Sequence, residues 1–319
     1  MKLPAAVKRL VLPAIVIAGI LTGITGVRAA DYPTKPITFI IPAAPGGAYD
    51  ISARLLIPAL QKALGVTILP QNFSAGPVAP TQLYKARPDG YTIGIVSMPG
   101  TLLLQLMGST DYDVDKYTWL GRVAHETYAL AVAANSPINS IAAMKALGRP
   151  VSFTSAGPGS TAFAATQLAM RRLGLNAKII TGYPSAPEYI LGVIRGDGDA
   201  VITNLTALTP FVTSHQVKLL LSFDDGNAVP GVPNARAAHA PDLAKISLDT
   251  LVGAPPGLPP EIRKRLSDAI AAAIRDPDTQ ARAKTASADL APGNAAQAAA
   301  VVAAQHAFFT KNADLIGKP

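Results

Sequence analysis

Residues 37–64 read ITFIIPAAPGGAYDISARLLIPALQKAL. The run Ile37 to Ile41 is short, apolar and β-branched, which predicts a buried strand. It stops at Pro42 and passes through Pro45-Gly46-Gly47. Asp50 stands at an N-cap position ahead of Ile51, Leu55, Leu56, Leu60 and Leu64 at helical spacing, and Gly65 closes the helix. Pro58 should kink it. Strand, glycine turn and capped helix form the opening unit of a doubly wound α/β domain, whose ligands bind at the carboxyl ends of the strands. The helix N-terminus offers free N–H groups and the positive end of a dipole, so the guest it suits is an anion. No Lys, Arg or His lies between Pro42 and Asp50. Backbone and hydroxyl donors would therefore hold the anion. An ordinary strand-to-helix turn that binds nothing also fits this stretch.

Residues 1–30 read as a secretory leader. Lys2, Lys8 and Arg9 form a basic start, Leu10 to Ile24 an apolar middle, and Val27-Arg28-Ala29 supplies small residues before a cut. The exported chain is expected to begin at Ala30 or Asp31. A retained membrane anchor is the competing reading, weakened by Gly19, Gly23 and Gly26. The 319 residues hold 28 Lys and Arg against 20 Asp and Glu, formally +8. Four of the basic residues fall in the leader (Lys2, Lys8, Arg9 and Arg28), so the mature charge is near +4. That is too modest for a nucleic-acid protein, and Arg171-Arg172 and Arg263-Lys264-Arg265 read as solvated helix faces. The absence of cysteine excludes disulfides, thiolate metal sites and a lipid anchor on an N-terminal Cys.

The later chain alternates short strands and helices. Strands are expected at Val66–Leu69, Tyr91–Val96, Tyr128–Ala133, Val151–Thr154, Lys178–Ile180, Ala200–Thr203 and Lys218–Ser222. Helices are expected at Thr81–Ala86, after Ser140, at Glu188–Ile194, from Pro260 to Asp276, and after an Asn294/Gln297 capping box. Residues 153–174, FTSAGPGSTAFAATQLAMRRLG, repeat the opening logic: a strand enters a glycine turn, Ser160 caps a helix, and Gly174 ends it. Gly157-Pro158-Gly159-Ser160-Thr161-Ala162 matches a loose dinucleotide pattern. The acidic residue expected about 20 positions on is missing, which argues against a nucleotide.

Other chemistry is hard to find. Asp111, Asp113 and Asp115 suggest a calcium loop, but Lys116 and Arg122 stand where Gly and Glu are required. The four histidines are scattered, no nucleophile elbow is present, and Asp197 and Asp199 read as structural turn residues. No catalytic residue, cofactor or metal is nominated.

Several segments together resemble one family. They are Tyr32-Pro33-x-Lys35-Pro36-Ile37, Pro42-x-x-Pro45-Gly46-Gly47-x-x-Asp50, Pro88-Asp89-Gly90-Tyr91-Thr92, Ser155-Ala156-Gly157-x-Gly159-Ser160, Gly196-Asp197-x-Asp199 and Ala254-Pro255-Pro256-Gly257-Leu258-Pro259. In this order they resemble the extracytoplasmic solute-binding proteins of tripartite tricarboxylate transport systems, the Bug family. One departure is Ser74-Ala75-Gly76-Pro77, where members usually carry Gly-Gly. The resemblance implies a two-lobed type II periplasmic binding fold, α/β in each lobe, with ligand in the cleft. Residues 31–130 and 221–319 would form lobe 1 and 131–220 lobe 2, with crossovers near Tyr128–Ala133 and Lys218–Ser222. It implies a site of Pro42, Ala43, Ala44, Pro45, Gly46, Gly47, Asp50, Ser97, Met98 and Thr101 on one side. On the other would stand Thr154, Ser155, Ala156, Gly159, Ser160, Thr161, Tyr183 and Asn204. Tyr49 and Tyr183 are candidates to face the cleft, which adds aromatic acids to the ligands worth screening. The implied function is a monomeric periplasmic receptor for a small organic acid that serves membrane transporter subunits. Two alternatives stay open: an orphan receptor reporting to a sensor kinase, and a secreted hydrolase or transferase.

Overall fold

The opening stretch folds as β1 (Ile37–Ile41), a loop, and α1 (Ala48–Leu64), closed by Gly65 in the left-handed conformation. This is a computed structural model describing residues 32–73, 76–108, 110–286, 288 and 290–315. The leader at 1–30 and the Ser74-Ala75 departure lie outside the described residues. Pro58 sits inside α1 and has no N–H for the Arg54 carbonyl. The adjoining Leu55 carbonyl accepts from Arg282 Nη2 at 3.2 Å, on α9 (Pro277–Thr285), so a neighbouring helix braces the interrupted turn.

β2 (Ile68–Asn72), α2 (Val78–Lys85), β3 (Thr92–Met98) and α3 (Gly100–Leu106) follow. β2 and β3 flank β1, both parallel to it. The second strand was expected at Val66–Leu69 and forms two to three residues later. Ile37 N donates to Thr67 O and Phe73 N to Ile41 O, which fixes the register of this edge strand. On its other side, Gln61 Oε1 accepts from Ile68 N at 3.0 Å.

β4 spans 16 residues, Thr118–Ala133, and carries the sheet from one half of the molecule to the other. Thr118 to Thr127 pair with β9 (Ser247–Ala254), with two register shifts. Tyr128 to Ala133 pair with β7 (Ala200–Asn204) on one side and β8 (Val217–Ser222) on the other. β5 (Val151–Thr154) lies between β7 and β6 (Ala177–Ile180), parallel to both. The strand order is β2-β1-β3-β9-β4-β7-β5-β6, with β8 also on β4. The expected α/β halves are thus joined in one mixed sheet, parallel at its ends and antiparallel in the middle.

Helices cover the faces: α4 (Ile141–Lys145), α5 (Thr161–Leu173), α6 (Ala186–Arg195), α7 (Leu205–Thr213), α8 (Pro260–Arg275) and α10 (Ala295–Lys311). The capping box at Asn294 and Gln297 forms as read, each side chain bonding the other's N–H. β9, α7 and α9 had no counterpart in the sequence reading. Phe39, Phe153, Phe223 and Phe309 are among the largest fully buried side chains. No helix among the described residues is long and apolar enough to cross a membrane.

Candidate functional site

The loop after β1 is built around Asp50. Its carboxylate, 2% exposed, accepts from Gly46 N (2.8 Å), from Arg54 Nε (2.8 and 2.9 Å to its two oxygens) and from Asn72 Nδ2 (2.9 Å). Asn72 Nδ2 also donates to Ala43 O at 2.9 Å. These bonds, the Arg54 pairing foremost, hold the Asp50 carboxyl down at about 2 against burial, which opposes them. Asp50 is therefore not the N-cap. That place belongs to Gly47 in extended geometry, and Asp50 lies in the first turn, reaching back to the loop. Gly46 has φ +82°, a left-handed turn that glycine adopts without strain and that brings its N–H under the carboxylate.

This pairing changes which donors face outward. Gly46 N is taken by Asp50, and Gly47 N donates to Ala44 O at 3.0 Å. The first helical bond runs from Ile51 N to Gly47 O. None of the described residues accepts from the N–H groups of Ala48, Tyr49 or Asp50, the usual orphans of a helix start.

The second turn keeps its sequence-derived geometry. Ser160 caps α5, its Oγ accepting from Phe163 N at 3.2 Å while donating to Gly157 O at 2.8 Å. Ser160→Ala is expected to lower stability by about 1 kcal/mol, read as a reduced urea midpoint with unchanged slope. Thr154 is fully buried and donates to Tyr189 O at 2.6 Å. Beside it, the Ser155 hydroxyl is buried and has no partner among the described residues.

The junction between β3 and α3 meets the second turn. A Cβ at Gly100 would lie 3.2 Å from Ser97 Oγ and 3.7 Å from Thr161 Oγ1. Thr161 lies near the Tyr128 phenol, and Ser97 near the Tyr49 phenol. Enclosure raises the pKa of Tyr49, Ser97 opposes the rise, and the charge of Glu126 adds to it. Tyr128 is raised well above the ordinary phenol range, again chiefly by burial. Asn204 Nδ2 donates to Glu126 Oε2, and Thr203 Oγ1 bonds both Tyr189 Oη (2.7 Å) and Asn204 Oδ1 (3.1 Å).

Of the residues named from sequence, Ser97, Thr161 and Asn204 fall into this cluster, with Tyr49 beside them. Pro42, Ala43, Ala44, Pro45, Gly46 and Gly47 form the loop above α1. Thr101 is buried in α3, and Ala156 and Gly159 lie in the second turn. The Met98 side chain is wholly in the core. Tyr183 goes elsewhere: it donates to Asp197 Oδ2 at 3.0 Å, and its ring lies across Gly192, where a Cβ would come within 2.9 Å. Sequence reasoning did not name Glu126 and Tyr128, which join this cluster. Strand alternation carried back two positions from Tyr128 would have put Glu126 on the same face.

A family model described as the tripartite tricarboxylate transporter family receptor matches residues 52–316. Protein BugT of Bordetella pertussis is 30% identical over 247 residues, 74% of this chain and 75% of that protein. Among solved structures, a TctC solute binding protein from Polaromonas superposes with a TM-score of 0.75 at 22% identity, covering 88% of this chain and 98% of its own. The R. palustris protein Rpa4515, solved with adipate, superposes with a TM-score of 0.71 at 23% identity, covering 90% and 99%. These likenesses show the two-lobed α/β fold of periplasmic binding proteins. With the family model spanning most of its length, the chain belongs to the tripartite tricarboxylate transporter receptors, a family of periplasmic solute-binding proteins.

Proposed function

We propose that this chain is exported, captures a small carboxylate between its lobes and delivers it, as a monomer and without turnover, to a membrane transporter. Residues 31–130 and 221–319 make one lobe in this reading and 131–220 the other. The observation that carries it is the approach of Ser97 and Thr161 to the same point beside Gly100, with Asn204 bonded to Glu126 of β4. The Ser155 hydroxyl, buried beside the second turn without a partner among the described residues, adds an unsatisfied group that a ligand or water would complete. The adipate held by Rpa4515 supports the ligand class.

Because Gly46 N and Gly47 N are already paired, the ligand carboxylate is assigned to the first-turn N–H groups of Ala48, Tyr49 and Asp50, with the hydroxyls of Ser97 and Thr161. The test is mass spectrometry of ligand retained by the purified mature protein, then thermal shift with mono- and dicarboxylic acids of about two to eight carbons. Ligand at about 100 times its Kd should stabilise the fold by about 2.7 kcal/mol. A protein that retains no acid and is stabilised by none of the panel is not a carboxylate receptor.

A further inference from the structure

The two faces of β4 carry different chemistry. Glu126 is bonded by the Asn204 amide on the cluster side. Strand alternation turns its neighbour His125 to the other side, where His125 Nδ1 bonds Asp249 at 2.8 Å. A cavity of about 430 Å³ opens there, walled by residues of β4, β9, α10 and the helical turn Pro241–Lys245. Its volume falls within the roughly 300–1,000 Å³ typical of small-molecule pockets. None of its lining residues is among those assigned to the cleft.

The floor is polar and buried: Ser247 is 9% exposed, Asp249 0% and Gln305 3%. Gln305 Nε2 donates to Ser247 Oγ at 3.1 Å and to Asp249 Oδ2 at 2.9 Å. Those bonds fix the amide, because the opposite orientation would set its oxygen against a carboxylate. Gln305 Oε1 is left buried with no partner among the described residues. Buried polar atoms are nearly always paired, so this oxygen calls for a donor. With Asp249 beside it, the floor repels an anion and suits a hydroxyl.

The mouth has the opposite character. Lys245 and Lys311 line it and are exposed. Lys245 pairs with Asp242 at 2.9 Å, while Lys311 forms no ion pair among the described residues. Ala304, Ala307 and Phe308 of α10 supply an apolar wall, and Lys245 Nζ stands 5.7 Å from the Phe308 ring centre.

We propose that this cavity is a second small-molecule site, built for an amphipathic hydroxy acid. The acidic end meets Lys311 and Lys245, the apolar body lies on the α10 wall, and a hydroxyl donates to Gln305 Oε1. The assignment does not rest on the carboxylate reading of the cleft.

The test is calorimetry on the mature protein with 3-(4-hydroxyphenyl)propanoate, which has an apolar ring between a hydroxyl and an acid. The comparison probes are 3-phenylpropanoate, which lacks the hydroxyl, and 4-propylphenol, which lacks the acid. The wild type should bind the hydroxy acid about tenfold or more tighter than either. Ala304 is exposed, so Ala304→Trp fills the cavity from the solvent side of α10 and should abolish that binding. Lys311→Ala should weaken the hydroxy acid about tenfold and leave 4-propylphenol unchanged. Lys311 is exposed at the last position of α10, so this variant reads the site even if the tryptophan disturbs the helix. No binding, or equal affinity for the hydroxy acid and either comparison probe, overturns the assignment. So does hydroxy-acid binding that survives either substitution in a folded variant; that acid would then occupy the cleft, and the receptor reading would stand without this site.

Discussion

Asp50→Ala should lower the unfolding free energy by about 2 kcal/mol and weaken binding of the proposed ligand. The side chain is buried and closes four hydrogen bonds, to Gly46 N, to Arg54 with both oxygens, and to Asn72. Arg54 is half exposed, so its freed guanidinium can return to water, which keeps the loss below that of a fully buried pair. The Gly46 N–H and the Asn72 amide lose a charged acceptor, and through Asn72 the tether on Ala43 O slackens. The pH dependence has a definite sign. The carboxyl is lowered from 3.8 to about 2 in the folded state. Its stabilisation is therefore fully present above the unfolded value and is lost as pH falls through the folded one. The wild-type minus Asp50→Ala difference in unfolding free energy should be flat from neutrality down to about pH 4.5 and shrink towards pH 2. A difference that stayed constant to pH 2 would show that the pairing does not stabilise the folded state.

Asp249→Ala should cost more, about 3 kcal/mol, because two of the donors on that carboxylate, Ser247 and Gln305, are themselves buried. It is fully buried in β9, between β3 and β4. One oxygen pairs with His125 Nδ1 at 2.8 Å, with Arg122 Nη1 at 3.9 Å; the other accepts from Ser247 Oγ at 2.7 Å and Gln305 Nε2 at 2.9 Å. Alanine leaves buried donors on Ser247 and Gln305 without this acceptor, a loss of about 1–3 kcal/mol for each unsatisfied group. Ser247 and Gln305 keep a 3.1 Å bond to each other, which limits the total. Urea unfolding at neutral pH measures it. A loss under about 1 kcal/mol would show that water enters the cluster and satisfies it.

This same carboxylate explains why β9 was not legible. SLDTLVGA sets a charge and a glycine inside a short apolar run, next to a Gly/Pro-rich stretch, and locally reads as a connection. The partners that make Asp249 tolerable stand at residues 125 and 305, where no window of sequence joins them to it. The opposite case is β5 with α5, where the bounds Val151–Thr154, the Ser160 cap and the Gly174 stop match the sequence reading. Caps and glycine stops act within four residues, so the chain displays them. Asp50 sits between these cases. An acidic residue ahead of an apolar periodic run looks like an N-cap, and only the Gly46 turn reveals that it bonds backwards from inside the helix. In the candidate cluster, Ser97 and Thr161 were named through the family resemblance, and both stand at strand-to-helix junctions. Glu126 was not, because the strand was taken to begin at Tyr128 while β4 runs from Thr118.

The register of β2 also bears on self-association. Residues 67 and 73 point their backbone groups at β1, so Ile68, Pro70 and Asn72 turn theirs to the outer edge. Of those three, Ile68 N is capped by the Gln61 side chain and Pro70 has no N–H. An incoming strand from a second molecule thus finds most of its donors missing, although Leu69 presents an exposed apolar side chain there. The far edge, β6, is four residues long and carries the exposed Lys178. An open sheet of nine strands is thereby guarded at both ends against edge-to-edge aggregation, and replacing Pro70 with valine would restore an N–H to one of them.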